Sequence, residues 1–487
     1  MRPGSPPPSG GDLDPRDWPA FRLQAHAMLD DILDHVGSIR DQPVWRPMPD
    51  EVRAGFLAGL PDAPASLADA HQEFMASVLP YGVGNTHPRF MGWVHGAGTA
   101  VGLLAEMLAA GLNANLGGRD QAPIALERQV SRWIAELMGF PASASGLFLT
   151  GASMANFVAI LIARQAALGD EARRAGVGAC GADLTAYASR AAHNCIVRGM
   201  EMSGLGADAL RLIDTDFRGR MDLAAAAAAV RADRNAGRRP FLLIGTAGSV
   251  DTGAIDDLSG LADLARAEGL FFHVDGAVGA LGMMSTELAP RFAGMERADS
   301  IALDFHKWGQ APYDAGFVLV RDADLQLATF SSPAAYLRRE DRGLAAGSPW
   351  PCDFGPDLSR GFRALKVWFT LKVYGARALG DAMLGTCRLA QHLADLVVRQ
   401  ADLELLAPVE LNIVCFRFRG ADADALNSAI VTELQVTGVA APSTTTIDGR
   451  LAIRAAIVNH RTRAEDLDLL VGQVLAIGRR LGGQDRT

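Results

Sequence analysis

The sequence has few cysteines, no excess of positive charge and no apolar run long enough to cross a membrane. Its five cysteines are odd in number, far apart and without a C-x-x-C spacing, so they predict neither a disulfide framework nor a zinc site, and we expect no bound metal. Lys and Arg total 46 against 55 Asp and Glu, and the net charge of −9 offers no basic surface for nucleic acid or an anionic membrane.

The apolar stretches also argue against export. The run from Val101 to Leu112 is interrupted by Glu106 and falls short of the roughly 18 residues of a membrane span. Residues 1–20 contain no apolar core of a signal peptide. These absences predict a cytoplasmic protein with reduced cysteines and no membrane partner.

What the sequence does contain is the composition of a large globular protein, with 487 residues of which 49% are hydrophobic and 21% charged. Residues 1–13 are rich in Pro, Gly and Ser and predict a disordered tail. Residues 14–85 have apolar positions at three- and four-residue spacings and no strand pattern, which predicts a helical N-terminal arm. We predict a large domain over residues 86–375 and a small C-terminal domain over residues 376–487.

Short apolar segments alternate with helical segments through the predicted large domain. The predicted strands start near Leu147, Leu184, Leu210, Phe241, Leu270, Ser300 and Phe317. Helices are predicted between them, for example over Met154 to Leu168 and Leu258 to Glu268, and the alanine-rich segment from Ala224 to Val230 behind Asp222 predicts another. This alternation is typical of an α/β fold with a mostly parallel sheet covered on both faces.

The end of the chain has a different pattern. Two helical stretches, Arg360 to Tyr374 and Arg377 to Arg399, lead into strand-like segments over Asn412 to Phe418 and Arg450 to Ile457. Helices are predicted between and after these segments. The pattern predicts a smaller α+β unit.

Two residues that follow predicted strands define a chemical task when they are taken together. Asp275 closes the segment His273-Val-Asp275, and Lys307 follows the strand that begins near Ser300. A carbonyl cofactor needs an amine that holds it as a Schiff base, and a pyridine ring is an electron sink only while its nitrogen stays protonated. Lys307 supplies an amine and Asp275 a carboxylate, although each alone would be a common turn or cap residue.

The turn Thr150-Gly151-Ala152-Ser153 is a third element, where an apolar strand passes into a long helix. Small side chains leave the backbone N–H groups of a helix N-terminus open to a phosphate group. The turn matches neither G-x-x-x-x-G-K-[ST] nor G-x-G-x-x-G, so alone it is an ordinary strand-to-helix turn. Its place upstream of Asp275 and Lys307 favours phosphate binding.

Together these motifs resemble the group II pyridoxal-phosphate-dependent amino-acid decarboxylases, which include the aromatic-L-amino-acid and glutamate enzymes. The likeness runs from about Asn85 to Tyr374. It rests on short segments of the sequence, namely Thr86-His87-Pro88-Arg89-Phe90, Gly151-Ala152-Ser153, His193, His273-Val-Asp275, His306-Lys307-Trp308 and Phe362-Arg363-Ala-Leu-Lys366. The resemblance implies the fold type I architecture of many aminotransferases, with a seven-stranded sheet, and pyridoxal 5′-phosphate as the cofactor.

The resemblance also implies roles for individual residues. Lys307 becomes the lysine of the Schiff base, Asp275 the partner of the pyridinium nitrogen and His193 the imidazole stacked on the ring. Ala277 would pack on the opposite face of the ring. Three more residues would lie at the phosphate, namely Ala152, Ser153 and His306.

Tyr336 lies where the family carries a catalytic loop that reaches over the active site. Decarboxylation leaves a carbanion at Cα, and a phenol held near it can deliver the proton that it needs. The corresponding residue is often Phe in relatives that make aldehydes, so Tyr336 favours simple decarboxylation. Asp304 stands where some members have Asn near the phosphate and would add negative charge there, although an acid at this place also fits other members.

The substrate side of the site is less defined. Trp93 and His95 are candidates for the substrate pocket, although core and loop packing would explain them almost as well. The segment from Asn113 to Gly118 lacks the aromatic residues of the aromatic-specific enzymes.

We therefore predict a carboxy-lyase that converts an L-amino acid, aromatic or otherwise hydrophobic, to the amine and CO2. Aldehyde-forming oxidative decarboxylation and another carbon–carbon lyase reaction stay open as alternatives, and so does a degenerate scaffold that binds the cofactor without turnover. The predicted partners are a small-molecule amino acid and a second copy of the chain. We expect the second copy because the arm contains no strand against which its own apolar side chains could be buried.

Overall fold

The computed structural model describes residues 13–331 and 339–484. The predicted tail, apart from Leu13, and Tyr336 lie outside the described residues. The helices are α1 (Trp18–Gly37), α2 (Asp50–Gly55), α3 (Leu67–Ser77), α4 (Ala100–Leu112), α5 (Ala122–Leu137), α6 (Ala152–Leu168), α7 (Glu171–Ala175), α8 (Val177–Cys180), α9 (Cys195–Met202), α10 (Leu223–Asn235), α11 (Leu258–Glu268), α12 (Ala323–Phe330), α13 (Arg363–Val398), α14 (Ala423–Val436) and α15 (Ala464–Gln484). The strands are β1 (Phe90–Met91), β2 (Ser145–Leu149), β3 (Leu184–Ser189), β4 (Leu210–Ile213), β5 (Arg239–Thr246), β6 (Phe271–Asp275), β7 (Ser300–Asp304), β8 (Gly316–Val320), β9 (Leu403–Leu405), β10 (Ile413–Phe418), β11 (Ala441–Ile447) and β12 (Arg450–Ala456).

The N-terminal segment is helical, which confirms the prediction from its spacing. Residues 14–81 contain α1, α2 and α3 and no strand. The side chain of Asp17 accepts a hydrogen bond from the backbone N–H of Ala20, so it caps α1 as an acidic N-cap residue should. No residue of α1 is buried in the single chain, and Trp18 and Leu23 are 57% and 73% exposed.

The large sheet contains the seven predicted strands in the order β2-β8-β7-β6-β5-β3-β4. The neighbours β4, β3, β5, β6 and β7 pair in parallel, whereas β8 runs antiparallel to both β7 and β2. This confirms a mostly parallel sheet. The inner strands β3 and β7 are buried along their whole length, and β6 is buried except for its first residue, as expected where helices cover both faces.

Helices on the two faces supply the rest of this core. On α6 the side chains of Ala155, Val158 and Ile162 are fully buried, and they pack with β2 and β8. The alanine-rich segment lies in α10, where the carboxylate of Asp222 accepts hydrogen bonds from the first turn. The prediction of a helix in that segment is confirmed.

The two predicted helical stretches near residue 375 form one long element, α13, that is broken at a single residue. Gly375 has φ of 74° and ψ of 154°, a backbone conformation that residues with a side chain rarely adopt. The boundary that we predict between residues 375 and 376 falls at this break.

The small sheet has the strand order β1-β11-β12-β10-β9. The strands predicted over Asn412 to Phe418 and Arg450 to Ile457 are present as β10 and β12. Phe90 and Met91, which lie inside the predicted large domain of residues 86–375, pair in parallel with Ala441 and Pro442 and therefore form an edge of the small sheet. That part of the predicted boundary is wrong, because a two-residue strand carries no periodicity that a sequence pattern could reveal.

Among the helices of residues 13–331 and 339–484, none is both long and apolar enough to cross a membrane.

Candidate active site

A cavity of about 460 Å³ lies at the edge of the large sheet where the parallel strands end. Nine of the ten residues predicted for the site line it, namely Trp93, His95, Ala152, Ser153, His193, Asp275, Ala277, His306 and Lys307. The tenth, Tyr336, falls outside the described residues. A larger hollow of about 630 Å³ at the opposite edge has neither lysine nor histidine among the described residues that line it. Of these two cavities, the first is therefore the one that brings Lys307 and Asp275 together.

Asp275 is the last residue of β6, and its side chain is buried. One carboxylate oxygen, Oδ1, accepts a hydrogen bond of 3.1 Å from the backbone N–H of Ala277. Burial raises the pKa of Asp275, whereas the positive charge of Lys307 and the nearby imidazole of His193 oppose that rise. A cationic ring nitrogen brought into this cavity would favour the ionised carboxylate.

Lys307 follows β7 and forms an ion pair with Asp304. Its Nζ atom lies 2.9 Å from Oδ2 of Asp304, whose side chain is only 2% exposed. Burial lowers the pKa of Lys307, but the charge and the hydrogen bond of Asp304 outweigh burial and raise it overall. The amine is therefore held as an ammonium in the cofactor-free chain.

The turn between β2 and α6 is open to the cavity, and Thr150 to Ser153 all line it. A Cβ atom on Gly316 would lie 2.2 Å from Cα of Gly151, so the turn keeps its position only because β8 begins with glycine. The backbone N–H of Ala152, the first residue of α6, donates a hydrogen bond of 2.7 Å to Oδ1 of Asp304. The predicted phosphate turn thus already faces one carboxylate.

His193 and Ala277 lie in the same cavity. His193 stands between β3 and α9, and its Nδ1 atom accepts a hydrogen bond of 3.2 Å from the backbone N–H of Cys195. Ala277 is half-buried two residues beyond Asp275. Their stacking on the two faces of a ring stays a prediction.

His306 is buried beside the ion pair. Its Nδ1 atom accepts a hydrogen bond of 3.0 Å from the backbone N–H of Ala315, and its Nε2 atom lies 3.7 Å from Oδ1 of Asp304. Burial lowers the pKa of His306 despite the neighbouring carboxylate. The imidazole therefore tends toward its neutral form.

A buried polar network behind Asp275 was not predicted from the sequence. The imidazole of His273 lies 2.7 Å from Oδ1 of Asn156 through Nε2 and 2.8 Å from Oγ of Ser300 through Nδ1. The amide of Asn156 donates in turn to the sulfur of Cys195. Burial lowers the pKa of His273 to about 3, so the ring is neutral and holds Asn156 against the cavity.

Thr246 is a further residue that sequence reasoning missed. It is the last residue of β5, and its backbone N–H donates a hydrogen bond of 2.8 Å to the buried carboxylate of Asp256. Thr246 lines the cavity, and its buried Oγ1 atom has no hydrogen-bond partner among the described residues. A buried hydroxyl without a partner is costly unless a ligand supplies one.

An aromatic wall, formed by Trp93, His95 and Tyr313, closes the outer side of the cavity. The ring centroid of His95 lies 5.6 Å from that of Trp93 and 5.9 Å from that of Tyr313. Tyr313 also packs on His306 at 4.3 Å. Burial lowers the pKa of His95, and the charge of Lys307 adds to that effect. Tyr313 was missed, although its position in the loop shortly after Lys307 was a usable signal.

The fold and the lysine–carboxylate pair are those of an enzyme that uses pyridoxal 5′-phosphate. The chain belongs to the pyridoxal-dependent decarboxylase family, because residues 49–419 match the conserved domain of that family. It is therefore a carboxy-lyase that depends on pyridoxal phosphate.

Individual relatives support the same family. The chain is 30% identical over 468 residues to an aromatic-L-amino-acid decarboxylase of Bacillus atrophaeus, across 94% of this chain and 95% of that protein. It is 33% identical over 412 residues to an L-2,4-diaminobutyrate decarboxylase of Rhizobium meliloti (strain 1021), across 83% and 81%. In fold it is similar to Oryza sativa TDC crystallised with PLP and tryptamine, with a TM-score of 0.87, 24% identity and coverage of 97% of this chain and 100% of that one.

The residues of the cavity fit the cofactor. The partnerless hydroxyl of Thr246 offers a hydrogen bond to a ligand, and Lys307 and Asp275 offer the amine and the acid that a pyridine aldehyde needs. Pyridoxal 5′-phosphate is the cofactor of this family and of this chain.

Proposed function

We propose that this enzyme removes the α-carboxylate of an L-amino acid with an aromatic or other hydrophobic side chain and releases the amine and CO2. The observation that carries the proposal is one cavity that joins Lys307 and Asp275 to an aromatic wall. Trp93 and His95 of that wall are the residues proposed to contact the substrate side chain. The cavity of about 460 Å³ has room for the cofactor and a small amino acid.

Each residue of the cavity has a proposed task. Lys307 would hold the cofactor aldehyde and give way to the substrate amine, and Asp275 would keep the pyridine nitrogen protonated. When bound, the cofactor supplies a sink for the electron pair left by the departing carboxylate. His193 and Ala277 cover the two faces of the ring. The phosphate lies at the residues described above, namely Ala152, Ser153 and His306.

Tyr336 is the proposed donor of the proton to Cα. Arg339, the first described residue after it, is firmly held: its guanidinium makes two hydrogen bonds of 2.7 Å to Asp353 and lies 4.4 Å from the ring centroid of Trp350. In the family that the chain resembles, a catalytic loop at this place in the sequence reaches over the active site, and a proton donor on such a loop can close over a substrate and open to release the amine.

The test is a screen of amino acids for CO2 release and amine formation with added pyridoxal phosphate. We expect amine and CO2 in equal amounts from at least one aromatic or hydrophobic L-amino acid. Tyr336→Phe should slow protonation and divert part of the product to the aldehyde, with Tyr374→Phe, a half-exposed tyrosine of α13, as the matched control. Turnover of charged amino acids alone would contradict the proposed substrate class.

Aldehyde formation is the second candidate function. One relative, 28% identical over 472 residues, is a phenylacetaldehyde synthase of Arabidopsis thaliana, and the alignment covers 92% of this chain. The presence of Tyr at position 336 favours the amine. Aldehyde, ammonia and peroxide from the unmodified enzyme would favour this second candidate instead.

We also propose that the enzyme works as a homodimer. Two surfaces expose large apolar side chains in the single chain: Trp18, Phe21 and Leu23 on α1, and Leu104, Met107, Leu108 and Leu112 on α4. Apolar faces of this kind are typical of helices that pack against a second copy.

Light scattering of the active enzyme tests the assembly, and a mass of 51.5 kDa for active particles would contradict it. Mixing inactive Lys307→Ala protomers with Tyr336→Phe protomers tests whether the site is shared. Because a shared site is formed from both chains, hybrid dimers with one intact site should regain amine formation. Proven hybrid dimers that form no more amine than the Tyr336→Phe enzyme alone would contradict a shared site.

A further inference from the structure

We infer that the phosphate group of the cofactor binds this protein together with one proton, which it shares with the carboxylate of Asp304. The inference rests on the cofactor and on the proposed phosphate turn, and it is independent of which amino acid is the substrate. It makes Asp304 a positioning residue for the phosphate.

The position of Asp304 is the first argument. It is the last residue of β7, and its Oδ1 atom accepts a hydrogen bond of 2.7 Å from the backbone N–H of Ala152, the first residue of α6. Its Oδ2 atom lies 2.9 Å from Nζ of Lys307. The carboxylate therefore occupies the positive end of α6, which is where an anion is expected to bind.

The charges around Asp304 are the second argument. Lys307 is the only cation in an ion pair with it among the described residues, and the pKa of His306 is lowered by burial. The carboxyl group of Asp275 on β6 would be balanced by the protonated ring nitrogen of the bound cofactor, and the phenol of Tyr313, whose pKa is raised by burial, adds no positive charge. A phosphate monoester carries nearly two negative charges above pH 7. One lysine cannot balance these charges, and like charges at this range keep one group protonated.

The packing around Asp304 is the third argument, because it leaves the carboxylate no alternative place. Its side chain is 2% exposed, and the neighbouring Ala302 and Ala155 on β7 and α6 are fully buried. A rotation away from Ala152 would leave an ionised carboxylate buried without its donor, which is more costly than neutralisation. Taking up a proton keeps both hydrogen-bond partners in place.

The experiment uses pyridoxine 5′-phosphate, which has the ring and the phosphate but no aldehyde to react with Lys307. Titration calorimetry at pH 8 in two buffers of different ionisation enthalpy gives the number of protons taken up on binding. We expect the wild-type chain to take up about one proton more than Asp304→Asn. The amide still accepts from Ala152, so the variant removes the charge and keeps the hydrogen bond.

Three controls keep the result specific. The first control repeats the comparison between Asp304 and Asp304→Asn in chains that also carry Lys307→Ala. This removes any contribution of the lysine amine to the proton uptake. Asp257→Asn removes a carboxylate that accepts a hydrogen bond from the backbone N–H of Gly260 at the start of α11. The proton uptake of this variant should equal that of the wild type. Free pyridoxine, which lacks the phosphate, should take up about one proton fewer than its phosphate ester in the wild-type chain, and this measurement does not depend on the folding of Asp304→Asn.

Equal proton uptake by the wild type and Asp304→Asn would overturn the inference, and so would equal uptake for pyridoxine and its phosphate. A wild-type chain that binds the probe with this proton but decarboxylates no amino acid would contradict the proposed function and leave this inference standing. The two failures are therefore distinguishable.

Discussion

A Cβ atom on Gly96 would lie 2.2 Å from the carbonyl oxygen of His306 and 2.5 Å from that of Lys307. The segment after Trp93 thus packs backbone against backbone on the residues that carry the amine. A side chain at position 96 must push these segments apart, because neither carbonyl belongs to a flexible side chain.

Gly96→Ala should therefore weaken the binding of pyridoxal phosphate by at least about tenfold, since a misplacement near 1 Å at the reacting group is costly. Absorbance titration of the cofactor measures the affinity. The matched control is Gly111→Ala in α4, where a Cβ atom meets nothing within 4 Å and should stabilise the helix by up to about 1 kcal/mol. Equal cofactor affinity of the two variants would contradict the close approach.

Asp275→Asn should lower kcat by at least about a hundredfold while the cofactor still binds, because the amide cannot stabilise a protonated ring nitrogen. Steady-state amine formation gives kcat, and absorbance gives cofactor occupancy. Asp299→Asn is the matched control, since Oδ2 of Asp299 accepts a hydrogen bond of 2.7 Å from Phe272 at the other end of β6. A kcat of Asp275→Asn close to that of the wild type would refute the role of the carboxylate.

The stability of the fold should fall in acid partly because of His273. Its pKa is lowered by burial to about 3 in the folded chain, against 6.5 for the ordinary imidazole, so the unfolded chain binds more protons between these values. The neutral ring stabilises the folded chain fully above pH 6.5, and this contribution is lost as the pH falls toward 3.

Between pH 7 and pH 5 the free energy of unfolding of the wild type should fall by about 2 kcal/mol more than that of His273→Gln. Urea unfolding at the two pH values measures the difference. His87 and His460, whose pKa values are also lowered by burial, to about 4, titrate in both proteins and cancel in the comparison. Parallel losses in the two proteins would show that His273 is not the residue responsible.

Breaking the buried ion pair of Arg360 and Glu127 should lower the free energy of unfolding strongly, because it leaves one buried charge without its partner. The N–O distance of the pair is 2.6 Å, and both side chains are at most 3% exposed. Arg360→Met leaves the carboxylate of Glu127 without a partner and should cost about 3–5 kcal/mol in urea unfolding. Arg388→Met breaks the exposed pair with Glu287 and should cost less than about 1 kcal/mol. Similar costs for the two variants would contradict this ranking.

The seven strands of the large sheet were predictable because each is a short, mostly apolar run that ends in a polar residue or is followed by one. Asp275 and Lys307 could be found for the same reason, since they stand where such runs stop and the carboxyl ends of parallel strands meet at one edge. The cavity that joins them follows from the topology of the sheet.

Other parts of the site carry no signal in the sequence. Asn156 meets His273 only because α6 crosses the sheet beside β6, and neither residue reveals the other by spacing. Thr246 becomes unusual only once burial removes every partner from its hydroxyl. Tyr313 is different, because its position shortly after Lys307 was a usable signal, although its contact with His306 depends on a loop conformation that local patterns do not encode.

The pairing of β1 with β11 has a consequence for the order in which the chain is completed during synthesis. All strands of the large sheet lie between Ser145 and Val320, so each of them can pair with its neighbours before the segments that follow have been synthesised. Phe90 must wait for Ala441, and the neighbouring hydrogen bond from Arg89 to Val439 joins residues 350 positions apart. The aromatic wall begins at Trp93, immediately beyond this strand, so the entrance of the active site is finished only when the last part of the chain has been made.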